Sequence, residues 1–171
     1  PWVTPMLIWE SHNVPNAKDS VEYTADTNYL AGEVVTVRSK NNGYPFEHTL
    51  LAPVSKDQTI KVVDKVQSIY ILCSRQSVYM TRQHLNFGKT PVWFKLGGTH
   101  GGNIQTAAIS RDGNHLFVGT TGGNMFRFSN LQQAYDSASA DMNSPSPVVT
   151  KDTLPGYSGR AITSISIDPN D

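Results

Sequence analysis

The chain has 171 residues, of which 38% are hydrophobic and 16% charged, and its 14 basic side chains balance 14 acidic ones. This balance gives no electrostatic argument for a nucleic-acid partner or an anionic membrane, and no run of about 18 apolar residues predicts a membrane span. Cys73 is the only cysteine, which excludes an internal disulfide and a cysteine-based zinc site, and we interpret it as a buried structural thiol. Low charge, 13 glycines and 10 prolines favour an all-β chain.

Residues 1–65 predict an N-terminal β segment, either an insertion or the remains of a repeat unit. Its candidate strands are short, partly alternating and rich in β-branched residues, and they are separated by polar loops and turns. They are Met6–Trp9, Val21–Thr24, Glu33–Ser39, Phe46–Leu51 and Thr59–Val63.

Residues 66–103 predict a second β unit. The run Val66–Cys73 is almost continuously apolar at its end, which is typical of a strand buried on both faces. Ser77–Arg82 returns the chain after a turn, and Val92–Leu96 forms the next strand. The glycine-rich link at 97–102, GGTHGG, then leads to the following unit.

The clearest pattern is an antiparallel meander between Ile104 and Leu131. Three short apolar runs, at 104–109, 115–119 and 125–128, are separated by Asp112-Gly113-Asn114 and Gly122-Gly123-Asn124. Asp-Gly and Gly-Asn favour tight hairpins because these residues accept a positive φ at little cost.

Beyond the meander, Leu131–Ala140 predicts a short helix that Ser129 or Asn130 caps with a side-chain oxygen. Val148–Thr150 and Ala161–Ile167 predict two more strands. The chain begins at Pro1 and stops inside a strand-turn pattern, so we expect it to be a fragment of a longer protein.

An internal repeat connects these units. Segments that begin at residues 66, 104 and 162 each place an apolar residue, a polar residue and then Ser or Thr before an apolar-rich run. Repeats of this size built from strands are typical of β-propeller blades, each of which is a four-stranded antiparallel sheet. We therefore predict a partial β-propeller with blades at 66–103 and 104–160, the second carrying the helical insert, and the start of another blade at 161–171.

The stretch ISRDGNHLFVGTTGGNMFRF, residues 109–128, resembles a blade of the WD40/YVTN/BNR-like repeat superfamily, whose members carry S-x-D-G-x-x-L-F/Y-V-G. ITSISIDPND, residues 162–171, resembles the opening strand of a blade in sortilin-like and xyloglucanase-like propellers. The sialidase Asp-box is only half matched, because Gly113 comes one position early and Phe117 stands where tryptophan belongs.

A second resemblance concerns the segments DTNYLAGEVVTVRSKNNGYPFEHTL and SVYMTR, which are similar to parts of large secreted bacterial surface proteins with such propellers. Some of those proteins are associated with type IX secretion and gliding motility. The resemblance implies an extracellular or outer-surface location in a bacterium.

Two groups of residues are candidates for structural or binding roles. Ser110, Asp112 and Gly113, with Asp168 in the next repeat, are interpreted as structural turns in which side-chain oxygens bind backbone amides. His100 lies among glycines, where backbone amides can approach a ligand, and the alternative is a solvated linker.

Aromatic side chains are the other candidates for binding. Tyr79 and Trp93, together with Tyr44 and Phe94, suit a carbohydrate- or protein-contacting surface, while core packing is the alternative for Trp93 and Phe94.

No motif predicts catalysis, a metal or a cofactor. The five histidines have no i, i+4 or H-x-H spacing, G-x-S-x-G is absent, and no pair of carboxylates is placed for glycoside hydrolysis. We therefore predict a noncatalytic scaffold that binds a protein partner or a glycan, and that packs against the remaining blades of the same polypeptide or another chain. The alternative is a fragment of a propeller glycoside hydrolase whose catalytic carboxylates lie outside this chain.

Overall fold

The computed structural model describes residues 4–14, 17–86, 88, 90–99, 101–135, 141–155 and 159–168. Strands and one short 3₁₀ helix are the only regular elements of these residues, so the predicted all-β class is confirmed. In chain order the strands are β1 Met6–Ser11, β2 Ser20–Thr24, β3 Val34–Arg38, β4 Pro45–Thr49, β5 Thr59–Val63, β6 Gln67–Cys73, β7 Ser77–Thr81, β8 Trp93–Gly98, β9 Ile104–Ile109, β10 His115–Thr120, β11 Met125–Ser129 and β12 Thr150–Leu154.

The chain divides into two compact units. The first contains the described residues of Pro1–Trp9, Ile69–His84 and Thr90–Asp171, and the second contains those of Glu10–Ser68 and Leu85–Lys89. The sequence-based boundary at residue 65 groups the whole N-terminal segment together. In the structure, residues 4–9 belong to the first unit because β1 joins the same sheet as β6.

Sheet 1 of the first unit has the strand order β1-β6-β7-β8. The Cys73 amide donates to the Pro5 carbonyl over 3.0 Å, which places the beginning of β1 beside the end of β6. The strands β6, β7 and β8 are antiparallel, and the buried residues Ile71, Met80 and Phe94 lie opposite one another. Sheet 1 therefore has one continuous apolar face toward the core.

Sheet 2 of the first unit has the order β12-β11-β10-β9 and is antiparallel throughout. The predicted meander over Ile104–Leu131 is confirmed by the pairs Leu116↔Phe128 and Val118↔Phe126. The fourth strand is β12, Thr150–Leu154, where the pattern predicts Val148–Thr150. Local turn chemistry therefore predicts the hairpins well and the later strand only in approximate position.

The repeat alignment does not match equivalent positions in the two sheets. The segment from residue 66 falls in β6, an interior strand of sheet 1, whereas Ile104–Ile109 is β9, at the end of the strand order of sheet 2. Ala161–Ile167 is not assigned to a strand, although the Ile162 amide donates to the Thr120 carbonyl over 3.1 Å. The alternation of apolar and polar residues predicts extended backbone without specifying a strand's neighbours.

One hydrophobic core lies between the two sheets of the first unit. Gly97 in β8 shows how closely they pack, because a Cβ atom there would lie 2.9 Å from Cε1 of Phe128 in β11. The buried apolar members of this core are Ile69, Ile71, Cys73, Val78, Met80, Phe94, Leu96, Ile104, Leu116, Val118, Phe126, Phe128, Leu131 and Ala134.

The second unit has its own core and two two-stranded sheets, β2-β5 and β3-β4. Buried and exposed side chains alternate along its strands, as they do in an antiparallel sheet with one solvated face. Along β3, Val35 and Val37 are buried while their neighbours are exposed. The buried apolar members of the second core are Ala25, Val35, Val37, Phe46, Leu50, Val54, Val62 and Val66.

The predicted helix at Leu131–Ala140 is shorter than expected. Only Leu131–Gln133 is helical, as a single 3₁₀ turn, and residues 136–140 lie outside the described part of the chain. The predicted side-chain cap is wrong, because Asn130 has a left-handed backbone with φ 68° and makes no capping hydrogen bond.

Arg82 explains how this turn ends. Its buried guanidinium donates through Nε to the Ala134 carbonyl and through Nη2 to the Leu131 carbonyl, each over 3.1 Å. Carbonyl groups that would accept hydrogen bonds from a continuing helix are thus bound by a side chain at the end of β7.

Candidate functional site

The two aromatic residues predicted to bind a partner, Tyr79 and Trp93, lie on the same face of sheet 1. In the register of β7 and β8, Tyr79 pairs with Lys95 and Thr81 pairs with Trp93. Since successive side chains in a strand point to opposite faces, these residues face away from the core that holds Met80 and Phe94.

Tyr70 connects the aromatic residues of this face to β1. Its ring meets Trp93 edge to face, with the centroids 6.0 Å apart, and lies 5.6 Å from the His84 ring. The Tyr70 hydroxyl donates to the Met6 sulfur over 2.8 Å. The aromatic side chains are therefore held in fixed positions rather than scattered over the surface.

We call this surface the outer face of sheet 1. Met6 is 58% exposed and Ile8 is 60% exposed, values that few large apolar side chains of the chain reach. The side chains between them and β8 are half-buried. The apolar and aromatic side chains of this face are Met6, Ile8, Tyr70, Leu72, Tyr79 and Trp93, and Thr81 and Lys95 lie beside them. Exposed apolar side chains next to aromatic rings are the composition of an interaction surface.

Of the other predicted binding residues, Phe94 is 3% exposed and belongs to the core. Tyr44 lies in the second unit, where its ring stacks on His12 with the centroids 3.9 Å apart. His100 lies outside the described residues.

The glycines that follow position 100 are packed against the rest of sheet 2. A Cβ atom at Gly102 would lie 2.5 Å from the Gly122 amide nitrogen, and one at Gly122 would collide with the Gly101 carbonyl. The Thr121 amide also donates to the Asn103 carbonyl over 2.8 Å. Glycine is needed here because two backbone segments approach without room for side chains.

The turn at Ser110, Asp112 and Gly113 has the predicted structural geometry. The Asp112 carboxylate accepts from the Ser110 hydroxyl and from the Asn114 amide, and the Ser110 hydroxyl oxygen accepts from the His115 amide. Partial burial alone would raise the pKa of Asp112, but the hydrogen bonds from Ser110 and Asn114 and the nearby His115 outweigh it and lower that pKa.

Asp168, the equivalent residue predicted in the next repeat, is exposed. The remainder of its predicted turn, residues 169–171, lies outside the described part of the chain.

In the described ranges, no group of three His, Cys, Asp or Glu side chains that could hold a metal ion occurs. Cys73 is buried in the first core, and burial raises the pKa of its thiol to about 12, which disfavours the reactive thiolate. Cys73 is therefore a structural member of the first core.

Sequence reasoning missed four apolar or aromatic residues of the outer face, Met6, Ile8, Tyr70 and Leu72. A signal was present, because Met6–Trp9 is apolar at every position. Apolar and polar residues alternate in a strand with only one buried face. A continuous apolar run therefore predicts that both faces of the strand meet apolar surroundings.

No family model, no curated protein and no solved structure matches the chain. In the part of the chain that the structure describes, no helix has the length and hydropathy of a membrane span.

Proposed function

We propose that this chain is a noncatalytic binding and scaffold module of the β-propeller type in a secreted or cell-surface bacterial protein. Two four-stranded antiparallel sheets that share one core support the architecture, together with the blade-like stretch at residues 109–128. The observation that carries the binding role is the outer face of sheet 1, which is apolar, aromatic and partly exposed.

The chemistry of this face favours a protein over a glycan. Sugars need several hydrogen-bonding groups beside an aromatic ring, but Met6 and Ile8 offer none and Thr81 is fully buried. The Tyr70 hydroxyl is bound to the Met6 sulfur, which leaves the Tyr79 hydroxyl as the phenol that could bind a sugar. The Lys95 ammonium is already bound, since it donates to the Asn143 carbonyl over 3.2 Å. The occupant is therefore an apolar protein surface of the kind that sheet 2 provides on the other side of sheet 1.

Sedimentation velocity of the purified chain tests this proposal. An unmatched apolar face associates with its own copies as concentration rises, so we expect reversible self-association of the wild type. Ile8→Asp should reduce it at least about tenfold, because an ionised carboxylate resists burial. Thr49→Asp, also at an exposed strand position and paired with Val34, is the control and should behave like the wild type.

Calorimetric titration with cellohexaose and chitohexaose tests whether the outer face binds a glycan instead. A monomeric wild type that binds either sugar, with loss of binding in Trp93→Ala, would replace the protein partner with a glycan. A monomeric wild type that binds neither would overturn the binding role of the outer face.

A further inference from the structure

Two leucines at one end of the second unit are almost fully solvent-exposed. Leu51 is 93% exposed and Leu30 is 70% exposed. Leu50, the neighbour of Leu51, is only 2% exposed and belongs to the second core. Burial of Leu50 in the second core stabilises this loop. Leu30 and Leu51 do not contribute to that core, so folding of the second unit does not explain why these positions are apolar.

The loops that carry these leucines are held side by side by backbone hydrogen bonds. The Gly32 amide donates to the Leu50 carbonyl over 2.8 Å, and the Leu50 amide donates to the Glu33 carbonyl over 2.9 Å. Tyr29 and Val54 exchange two more such bonds, of 2.8 and 3.0 Å. The leucines are therefore presented by a braced surface, which reduces the entropy lost when a partner binds.

We call this surface the apolar tip and define it by Leu30, Ala31, Leu51, Ala52 and Pro53. All five residues are exposed. The tip lies at the opposite end of the second unit from Glu10, which contacts Asn42 in the β3–β4 turn.

The charged residues of the two loops that carry the tip, 25–33 and 50–58, are mainly negative. Asp26, Glu33 and Asp57 lie in the two loops, against the single cation Lys56. The loop positions of these charges are set by hydrogen bonds: the Asp57 amide donates to the Ala25 carbonyl over 2.8 Å, and the Lys56 amide donates to Asn28 Oδ1 over 2.8 Å. An acidic rim is repelled by an anionic lipid surface and complements a basic protein surface.

We propose that the apolar tip is a second docking site, separate from the outer face of sheet 1, for a protein whose surface has an apolar pocket rimmed by lysine or arginine. The leucines fill the pocket as anchors, and the acidic rim selects and orients the partner.

Photocrosslinking identifies the occupant. A p-benzoylphenylalanine at position 51 is exposed to the envelope and secreted proteins of the source organism, with position 36 as the control site in the same unit. We expect one protein to be crosslinked from position 51 and not from position 36, at a mapped peptide where apolar residues are flanked by lysine or arginine.

Affinity measurements with that purified protein then test the chemistry. Leu51→Ser should weaken binding at least about tenfold, as loss of an interface anchor does. Asp57→Asn should weaken binding and Lys56→Gln should strengthen it, both effects shrinking at high salt. Asparagine suits position 57 because the backbone there has φ 66°. These side chains are exposed, so the thermal unfolding of the variants should match the wild type.

Three results would overturn the proposal. They are the absence of a specific crosslink from position 51, a crosslinked surface that is acidic, and affinities that rise in Asp57→Asn and fall in Lys56→Gln. Cosedimentation of the chain with phosphatidylcholine vesicles, lost in Leu51→Ser, would assign the tip to a lipid surface instead. Self-association that Leu51→Ser abolishes and Ile8→Asp does not would assign it to a second copy of the chain.

Discussion

At the scale of single residues, burial decides which reactive groups remain available. Cys73 is fully enclosed by the first core, and Asp112 is bound to its own turn by two donors. The side chains that remain exposed and unusual are apolar: Met6, Ile8 and Leu51. These exposed apolar side chains are the basis of the two binding proposals.

Cys73 provides a test of the first core. Because burial raises its thiol pKa from 9.0 to about 12, the folded protein keeps it protonated, and a thiol reagent such as DTNB should label it at about pH 8 only through unfolding. Labelling should become complete in denaturing urea, and Cys73→Ser should give no signal. Rapid labelling of the native protein would contradict the buried assignment.

The same pKa has a consequence for stability in alkali. The unfolded thiol ionises above its ordinary pKa of 9.0 while the folded thiol does not until about 12. The contribution of Cys73 to the free energy of unfolding is thus fully present below pH 9.0. It is lost as the pH rises from 9.0 to about 12.

At the scale of elements, the β9–β10 turn is fastened to β1 by Trp9. The Trp9 indole donates to the Arg111 carbonyl over 2.8 Å, and a Cβ atom at Gly113 would lie 2.5 Å from the same indole. The sequence explains this turn by its own residues Ser110 and Asp112. In the structure the turn also depends on Trp9, from a distant part of the chain.

Gly113→Ala tests this contact, and Gly43→Ala is its matched control. Both glycines have φ 69°, but a Cβ atom at Gly43 has nothing within 4 Å. Gly43→Ala should lower the free energy of unfolding by about 1–2 kcal/mol through backbone strain alone. Gly113→Ala should cost about 1–3 kcal/mol more because the methyl group displaces Trp9. Urea unfolding measures both, and equal losses would refute the Trp9 contact.

At the scale of the whole molecule, the chain builds two separate cores, and most residues of the second unit lie in sequence between β1 and β6 of sheet 1. The described members of the two cores do not overlap. Each unit therefore has its own source of stability.

Matched core truncations test this independence. Leu116→Ala in the first core and Leu50→Ala in the second should each cost about 2–5 kcal/mol. Hydrogen exchange should accelerate in sheet 2 for the first variant and in β3 and β4 for the second. Equal acceleration in both units would instead indicate a single cooperative core.

The sequence predicted the candidate site in part. Tyr79 and Trp93 were identified as aromatic candidates, and the structure brings them onto one face with Tyr70. Met6 and Ile8 were missed, because their place beside Tyr70 depends on the pairing of β1 with β6 across the whole second unit. His100 remains a prediction, since it lies outside the described residues.

What the sequence determined by itself is local: the all-β class, the hairpins of sheet 2 and the bound turn at Ser110 and Asp112. Turn residues and alternation act over a few positions, so they can be interpreted without knowing the rest of the fold. Tertiary structure alone decided that β1 lies beside β6, that Arg82 ends the helical turn at Leu131, and which apolar side chains stay exposed. These outcomes depend on contacts between residues far apart in the chain, and burial is a property of such contacts rather than of the local sequence.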